Sequence, residues 1–251
     1  MDLGLKGKRV IVTGGSKGIG RATAMTFAEE GADVAICARG AEALEITRKE
    51  IAALGVRAFA QSCDVGDPAA LTGFLEAARA ALGGVDILVN NTSGFGLSDD
   101  EAGWESSVQV DLMGCVRATW AVVPWMEEAG GGAIVHISSV SGMEAGSPPA
   151  YSAVKAALIS HSKTLANELA SSGIRVNCVA PGSIEFPGGL WEQIKEHNPQ
   201  HYESMRSSIP FGRMGTDTEV ASVVVFIASP RASWVAGVNL PVDGVQHKGN
   251  L

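Results

Sequence analysis

The sequence predicts an α/β fold in which one parallel β-sheet carries helices on both faces. Short runs rich in β-branched and other apolar residues alternate with longer amphipathic stretches from the amino terminus to about residue 180, which is the pattern of repeated strand, helix, strand units. Each intervening stretch is long enough for the helical crossover that joins parallel strands. We therefore expect one doubly wound domain over residues 1–251, with seven strands and a lid-like insertion near residues 185–214.

Seven runs have the length and composition of strands and are bounded by turn residues. They are Arg9 to Thr13, Asp33 to Ala38, Arg57 to Ser62, Asp86 to Asn90, Ala133 to Ser138, Arg175 to Ala180 and, after a break, Gly237 to Val242. Five stretches between them repeat apolar residues at helical spacing. They are Gly18 to Glu30, Ala41 to Leu54, Pro68 to Leu82, Ala102 to Glu128 and Pro149 to Ser171.

The segment from Ser183 to Met214 breaks this alternation. It is rich in Gly, Pro, Ser and charged residues, and an irregular segment of this length is typical of a lid or a binding loop. Its Trp191, His197 and Tyr202 are candidates to contact a ligand, or to pack the lid onto the body of the protein.

The composition favours a small molecule as the binding partner. The chain has 27 acidic and 19 basic residues and a formal charge of -8, which disfavours binding to nucleic acid or to anionic membranes. No apolar run reaches the roughly 18 residues that span a bilayer, and residues 1–6 lack the pattern of a secretory signal, so we expect a cytoplasmic protein. The four cysteines lack metal-ligand spacing, and we expect buried apolar residues and no metal site.

A glycine-rich turn follows the first predicted strand. It reads Thr13-Gly14-Gly15-Ser16-Lys17-Gly18-Ile19-Gly20 and leads into a helix. Glycines let the backbone turn sharply and approach a pyrophosphate, whose charge then lies at the amino end of the helix. The spacing differs from the commoner G-x-G-x-x-G, but its place between the first strand and the first helix predicts a dinucleotide site on a Rossmann-type fold.

The end of the second strand indicates which nicotinamide dinucleotide is bound. An acidic residue there binds the ribose 2′-hydroxyl and repels a 2′-phosphate, but this chain has Cys37-Ala38-Arg39. Arg39 and Lys17 can bind a 2′-phosphate instead, which favours NADP(H) over NAD(H), although both could be ordinary surface cations. Asp64, after the third strand, could face an adenine amino group or cap the next helix.

Tyr151 and Lys155 lie four residues apart on a predicted helix and therefore share one face. A phenol with a pKa of about 10 is a poor acid or base at neutral pH, and a nearby ammonium ion stabilises the phenolate. The pair suits proton transfer to or from a carbonyl oxygen. Because the same spacing arises by chance on solvated helix faces, its weight depends on the rest of the chain.

Together, the glycine turn, the Tyr-x-x-x-Lys pair and the chain length resemble the short-chain dehydrogenase/reductase family, and in particular its 3-oxoacyl-carrier-protein reductase-like members. The order of further motifs along the whole chain matches as well. Asn90-Asn91 ends the fourth strand, serines end the fifth, Pro181-Gly182 follows the sixth, and Val242-Asp243-Gly244 lies near the end. The resemblance implies a homotetrameric enzyme that interconverts a ketone and a secondary alcohol with a nicotinamide cofactor. The alternative is a cofactor-binding regulator or scaffold of the same fold without strong catalysis.

The resemblance also implies roles for individual residues. Tyr151 is then the general acid or base, Lys155 tunes it and holds the nicotinamide ribose, and a serine hydroxyl binds the substrate carbonyl oxygen. Ser139 fits the family's serine before an x-x-Gly turn, whereas the family's usual separation of thirteen residues from the tyrosine selects Ser138. The implied cofactor-binding residues are Gly14, Ser16, Lys17, Gly18, Ile19, Gly20, Arg39, Asp64, Val65, Asn91, Tyr151, Lys155, Pro181, Gly182 and Ile184.

Asp111 departs from the family pattern. The family usually has an asparagine there, and its main-chain carbonyl holds a water in the proton relay linked to the lysine. The backbone of Asp111 can preserve that catalytic role, and its carboxylate would raise the pKa of Lys155. A purely structural role for Asp111 is the alternative.

Two loops depart from the pattern as well. Thr92 and Ser93 occupy a stretch where the family commonly reads N-N-A-G, and their role stays open. Glu185 and Phe186 replace the threonine that usually follows the Pro-Gly-x-Ile pattern, which puts the pyrophosphate contacts of that loop in question.

Overall fold

The computed structural model describes residues 1–249, and a seven-stranded parallel sheet is their framework. The described residues form nine strands, of which seven belong to this sheet. They are β1 (Arg9–Thr13), β2 (Asp33–Ala38), β3 (Ala58–Ser62), β4 (Ile87–Asn90), β5 (Gly132–Ile137), β6 (Ile174–Pro181), β7 (Ile184–Glu185), β8 (Gly215–Thr216) and β9 (Asn239–Val242). The sheet order is β3-β2-β1-β4-β5-β6-β9, and all its neighbours are parallel. This confirms the predicted fold class and all seven strands. The short strands β7 and β8 pair separately.

Helices connect the strands and cover the sheet. They are α1 (Gly18–Glu29), α2 (Ala41–Ala53), α3 (Pro68–Leu82), α4 (Glu101–Ser106), α5 (Gly114–Glu128), α6 (Pro149–Leu169), α7 (Leu190–His197), α8 (Pro199–Ser208) and α9 (Asp217–Ala228). The long helix predicted over 102–128 is divided by a π-helical turn at Ser107–Met113. Such turns often occur at functional sites, and Asp111 lies on this one.

The segment after β6 differs from its prediction. Ser183 to Met214 was expected to be irregular, but it contains α7 and α8, each only two or three turns long. Helix α9 was not predicted either, although its start carries a recognisable signal. Thr216 and Glu219 form a capping box there, because the Thr216 hydroxyl accepts from the Glu219 N–H at 3.3 Å while the Glu219 carboxylate accepts from the Thr216 N–H at 2.9 Å.

Apolar side chains pack on both faces of the sheet. Successive strand residues point to opposite faces, so Val10 and Val12 enter one core while Ile11 enters the other. The first core includes side chains from α1, α2 and α9, among them Phe27 and Val224. The second includes side chains from α3, α5 and α6. The four cysteines are free and buried, as predicted.

The strand order reverses beside β1, because the chain runs outward to β2 and β3 and then returns to β4 on the other side. Loops at the carboxyl ends diverge at such a point and leave a crevice for a ligand. The glycine turn and the predicted residues after β2 to β6 all meet along this one edge. None of the helices described is long and apolar enough to cross a membrane.

Candidate active site

The glycine turn has the geometry needed to receive a phosphate. Gly14 has a φ of 71°, which favours glycine, and a Cβ at Gly20 would collide with the Gly14 carbonyl oxygen and the Asn91 amide. Helix α1 begins after Lys17 with no side-chain cap and no acidic residue in its first turn. Its first N–H groups and its dipole are therefore available to an anion, so the turn fits a dinucleotide pyrophosphate.

Asn91 joins this turn to β4. Its backbone N–H donates to Thr13 Oγ1 at 3.0 Å, and its side-chain amide donates to the carbonyl oxygens of Thr13 and Gly14 at 3.1 and 3.2 Å. On the other side, a Cβ at Gly18 would lie 2.5 Å from Cζ of Phe186. The Phe186 ring therefore packs directly against the turn.

The predicted adenosine-side residues follow β2 and β3. Arg39 is exposed, and its carbonyl oxygen accepts from Ser62 Oγ at 2.9 Å. Within residues 1–249, the Arg39 and Lys17 side chains make no salt bridge, so both cations are free to meet a phosphate. The predicted capping alternative for Asp64 is wrong. Asp64 accepts from the Gly66 N–H at 2.9 Å, and the cap of α3 is the next aspartate along the chain, residue 67.

The two adjacent serines after β5 point to different places. Ser138 donates its hydroxyl to the backbone carbonyl of Lys155 at 2.8 Å and is buried. Ser139 Oγ accepts from the Ser141 N–H at 3.1 Å, and its hydroxyl hydrogen has no acceptor in the described part of the chain. A Cβ at Gly142 would lie 2.6 Å from the Lys155 backbone, which explains the glycine of the x-x-Gly turn. This geometry leaves Ser139, rather than Ser138, free to donate to a substrate oxygen.

Tyr151, Lys155 and Asp111 come together from α6 and the π-helical turn. Lys155 Nζ lies 5.5 Å from the centroid of the Tyr151 ring and donates to the Ile137 carbonyl oxygen at 3.0 Å. It also lies 3.0 Å from Asp111 Oδ1, and the two side chains are only 3% and 0% exposed. This contact is an ion pair by distance, although its angle does not meet hydrogen-bond geometry.

The ion pair fixes the charge of the lysine. Burial by itself lowers the pKa of Lys155, but the attraction of the Asp111 carboxylate and of Tyr151 outweighs burial, and the pKa of Lys155 is raised above its ordinary value. Lys155 is therefore protonated beside the Tyr151 ring at neutral pH. The carboxylate of Asp111, and not only its backbone, takes part in the site.

The loop after β6 is held by a residue that the sequence analysis missed. Gln246 Oε1 accepts from the Ser183 N–H at 2.8 Å, between Gly182 and Ile184 of the predicted cofactor loop. Asp243 orders the turn before it and accepts from the N–H groups of Val245 and His247 at 3.0 and 2.9 Å. No sequence motif marks Gln246, because its contact depends on how the carboxyl-terminal segment folds back.

The aromatic residues of the lid pack mainly within the lid. Tyr202 is buried with Ile209 and Met214, and its hydroxyl donates to Glu185 Oε2 at 2.6 Å. Trp191 packs beside His201, with ring centroids 5.8 Å apart. For Trp191 and Tyr202, these contacts support packing of the lid rather than contact with a ligand.

The chain is similar to known proteins over almost its whole length. A family profile described as "Enoyl-(Acyl carrier protein) reductase" matches residues 14–245. Isoepoxydon dehydrogenase patN of Penicillium expansum is 38% identical over 254 residues, covering 99% of this chain and 98% of that protein. The 3-oxoacyl-[acyl-carrier-protein] reductase FabG of Thermotoga maritima is 38% identical over 249 residues, covering 96% and 98%.

Two solved structures share the fold over nearly the whole chain. A 7α-hydroxysteroid dehydrogenase in complex with NADH and 7-oxo glycochenodeoxycholic acid has a TM-score of 0.90 and 34% identity, covering 97% of this chain and 96% of that one. An L-sorbose reductase from Gluconobacter frateurii, in complex with NADPH and L-sorbose, has a TM-score of 0.89 and 34% identity, covering 99% and 100%.

The fold, the glycine turn and these comparisons place the protein in the class of nicotinamide-dependent oxidoreductases. Its members named above are dehydrogenases and reductases of alcohol and carbonyl groups. This chain belongs to the short-chain dehydrogenase/reductase family, which confirms the predicted resemblance.

Proposed function

We propose that the protein is an NADP(H)-dependent oxidoreductase that interconverts a ketone and a secondary alcohol. The observation that carries the proposal is the Tyr151 phenol beside the buried Lys155 ammonium, whose Nζ lies 5.5 Å from the centroid of the Tyr151 ring and 3.0 Å from Asp111 Oδ1. A phenol beside a buried cation is suited to exchange a proton with a carbonyl oxygen. The Ser139 hydroxyl, which is free to donate, supports a second hydrogen bond to the same oxygen.

Each residue then has one task in the reaction. The nicotinamide, when bound, supplies or accepts the hydride at the carbonyl carbon. Ser139 donates to the carbonyl oxygen and orients it, while Tyr151 gives that oxygen its proton in reduction and takes it back in oxidation. Lys155 stabilises the phenolate that Tyr151 becomes after giving its proton. Asp111 and the Ile137 carbonyl oxygen hold the Lys155 ammonium in place.

The preference for NADP(H) rests on the residues beside the adenosine end of the site. Arg39 follows β2 where NAD-binding proteins have a carboxylate, and Lys17 lies in the glycine turn. Their guanidinium and ammonium groups are exposed and free of salt bridges within residues 1–249, which favours a 2′-phosphate. NAD(H) is the alternative, and Ser16 in the same turn adds a hydroxyl that suits either cofactor.

The reaction is tested with NADPH and a panel of ketones, followed by the absorbance of NADPH. Tyr151→Phe removes the proton donor and should lower kcat by at least about 100-fold, within the usual range for a general acid. Lys155→Met should cause a loss of similar size, whereas Lys163→Met, an exposed lysine on the same helix, should leave kcat within about twofold. Unchanged turnover in Tyr151→Phe would remove Tyr151 from the mechanism.

A cofactor-binding regulator or scaffold is the alternative function. It predicts that NADPH binds, as measured by fluorescence, while no ketone or alcohol in a broad panel is turned over. The charged Lys155 and the free Ser139 hydroxyl favour the enzyme.

A cytoplasmic homotetramer is our proposal for the assembly. The family resemblance implies interfaces on α5, α6 and β9. Large apolar side chains are exposed on or near these elements, with Trp120 of α5 at 64%, Leu240 of β9 at 38% and Trp234 at 99%. Apolar surface of this kind is typical of an interface. Light scattering that shows a stable monomer at micromolar concentration would contradict the proposal.

A further inference from the structure

An aromatic side chain with no role in the mechanism lies beside the proposed proton donor. Phe95, in the loop between β4 and α4, stacks on Tyr151 with ring centroids 6.0 Å apart and planes 10° apart. Phe95 is 51% exposed, so it is not part of either core. A large apolar ring exposed beside a reactive group is a surface that a ligand can cover.

The backbone at Phe95 is held in a costly conformation. Its φ is 48°, and among residues 1–249 only Val245 is another non-glycine residue with positive φ. Such conformations persist where the surroundings enforce them, and they cluster at functional sites. Here the Phe95 N–H donates to Ser93 Oγ at 3.2 Å, and the Ser106 hydroxyl donates to the Gly94 carbonyl oxygen at 3.2 Å.

The same carboxylate that pairs with the catalytic lysine also holds this loop. Asp111 Oδ2 accepts from the Gly94 N–H at 2.8 Å, while Asp111 Oδ1 lies 3.0 Å from Lys155 Nζ. Asp111 therefore fixes the Phe95 loop and the Lys155 ammonium relative to each other. The orientation of the Phe95 ring beside Tyr151 is thus built into the site.

We propose that Phe95 is a specificity-determining residue and that the substrates are ketones, with their secondary alcohols, that carry a flat unsaturated or aromatic ring next to the carbonyl. A substrate whose oxygen meets the Tyr151 hydroxyl brings the adjoining substituent to the ring that stacks on Tyr151. A flat ring can stack face to face, with an offset, on the exposed part of Phe95. A saturated ring has no flat face to stack, and a polar chain would lose hydrogen bonds to water on contact with the apolar ring. This inference rests on the proposed ketone reduction and names its substrate class.

The test compares three ketones with NADPH: acetophenone, cyclohexyl methyl ketone, which has the same carbon skeleton but a saturated ring, and hydroxyacetone. For the unmodified protein we expect kcat/KM for acetophenone to exceed the other two by about tenfold or more. Phe95→Leu keeps an apolar side chain and should lower kcat/KM for acetophenone by about tenfold. It should change the values for the other two ketones by less than about twofold. Phe226→Leu, at an exposed phenylalanine of α9, is the matched control and should change none of them.

Two outcomes would overturn the inference. One is a preference of the unmodified protein for hydroxyacetone or the saturated ketone, and the other is an equal loss for all three ketones in Phe95→Leu. The latter would mean that Phe95 only positions Tyr151. Saturation-transfer NMR of acetophenone with the NADP⁺ complex provides a readout that does not need turnover. A ring signal that is present in the unmodified protein and lost in Phe95→Leu supports the subsite. A signal that Phe95→Leu leaves unchanged, or that is absent already in the unmodified protein, refutes the subsite. This readout holds even if ketone reduction itself fails.

Discussion

Removing the Asp111 carboxylate should destabilise the folded protein by several kcal/mol. Asp111 and Lys155 are almost fully buried and 3.0 Å apart, and at an effective dielectric constant of about 20 their attraction is about 5.5 kcal/mol before desolvation is counted. Breaking a buried pair by truncating one partner costs about 3–5 kcal/mol, because the other charge stays buried without compensation. Asp111→Ala also leaves the Gly94 N–H without its acceptor, which costs about 1 kcal/mol more. Together these terms predict a loss of about 5 kcal/mol in the free energy of unfolding.

The assay is urea denaturation at pH 7 and one fixed protein concentration, because assembly would make stability depend on concentration. Asp111→Asn keeps the oxygen acceptor and loses only the charge, so it should cost about half as much as Asp111→Ala. The double variant Asp111→Leu with Lys155→Met removes both charges and should recover most of the loss, since a buried pair replaced by apolar residues is often neutral. A loss below about 1 kcal/mol for Asp111→Ala, or additive effects in the double variant, would refute the coupling between Asp111 and Lys155.

Arg39, Gln246 and His136 can each be tested by a single substitution. Arg39→Ala should raise the KM for NADPH about tenfold or more and that for NADH less than twofold, because only NADPH has the 2′-phosphate; equal losses would rule out phosphate binding. Gln246→Ala should lower kcat/KM about tenfold, because the Ser183 N–H loses its acceptor. Gln246→Glu keeps an acceptor oxygen and should restore activity. Both variants should bind 2′,5′-ADP as tightly as the unmodified protein does. Weaker 2′,5′-ADP binding would instead point to general damage. Burial, with the nearby charges of His161 and Lys155, lowers the pKa of His136 from 6.5 to about 3. As the pH falls, His136 therefore takes up a proton in the unfolded chain before it does so in the folded protein. The free energy of unfolding should fall as pH drops from about 6.5 towards 3, by up to about 1.4 kcal/mol per pH unit. His136→Gln should flatten that slope, and an NMR titration of His136 near pH 6.5 would contradict it.

The strands and the central motifs could be predicted because their signals are local. A buried parallel strand is a short continuous apolar run, and β1 and β2 appear in the sequence with the bounds that the structure gives them. The π-helical turn at Ser107–Met113 had no such signal, since its composition suits an ordinary helix equally well. Helices α7 and α8 were missed because their proline, glycine and charged flanks resemble those of a loop. Helix α9 begins with a capping box at Thr216, which is a signal that the sequence alone carries.

The sequence was enough to predict the doubly wound sheet, the glycine-rich turn, and the Tyr151 and Lys155 pair, because each depends on residues within a few positions of one another. The directions of individual side chains, and the contacts between residues far apart in the chain, became known only from the tertiary structure. Ser138 points towards helix α6, whereas the Ser139 hydroxyl hydrogen is free to be donated. Asp111 contacts both Lys155 and Gly94. Phe95 stacks on Tyr151. These contacts join residues on different elements, whose separation in space depends on how the whole chain packs.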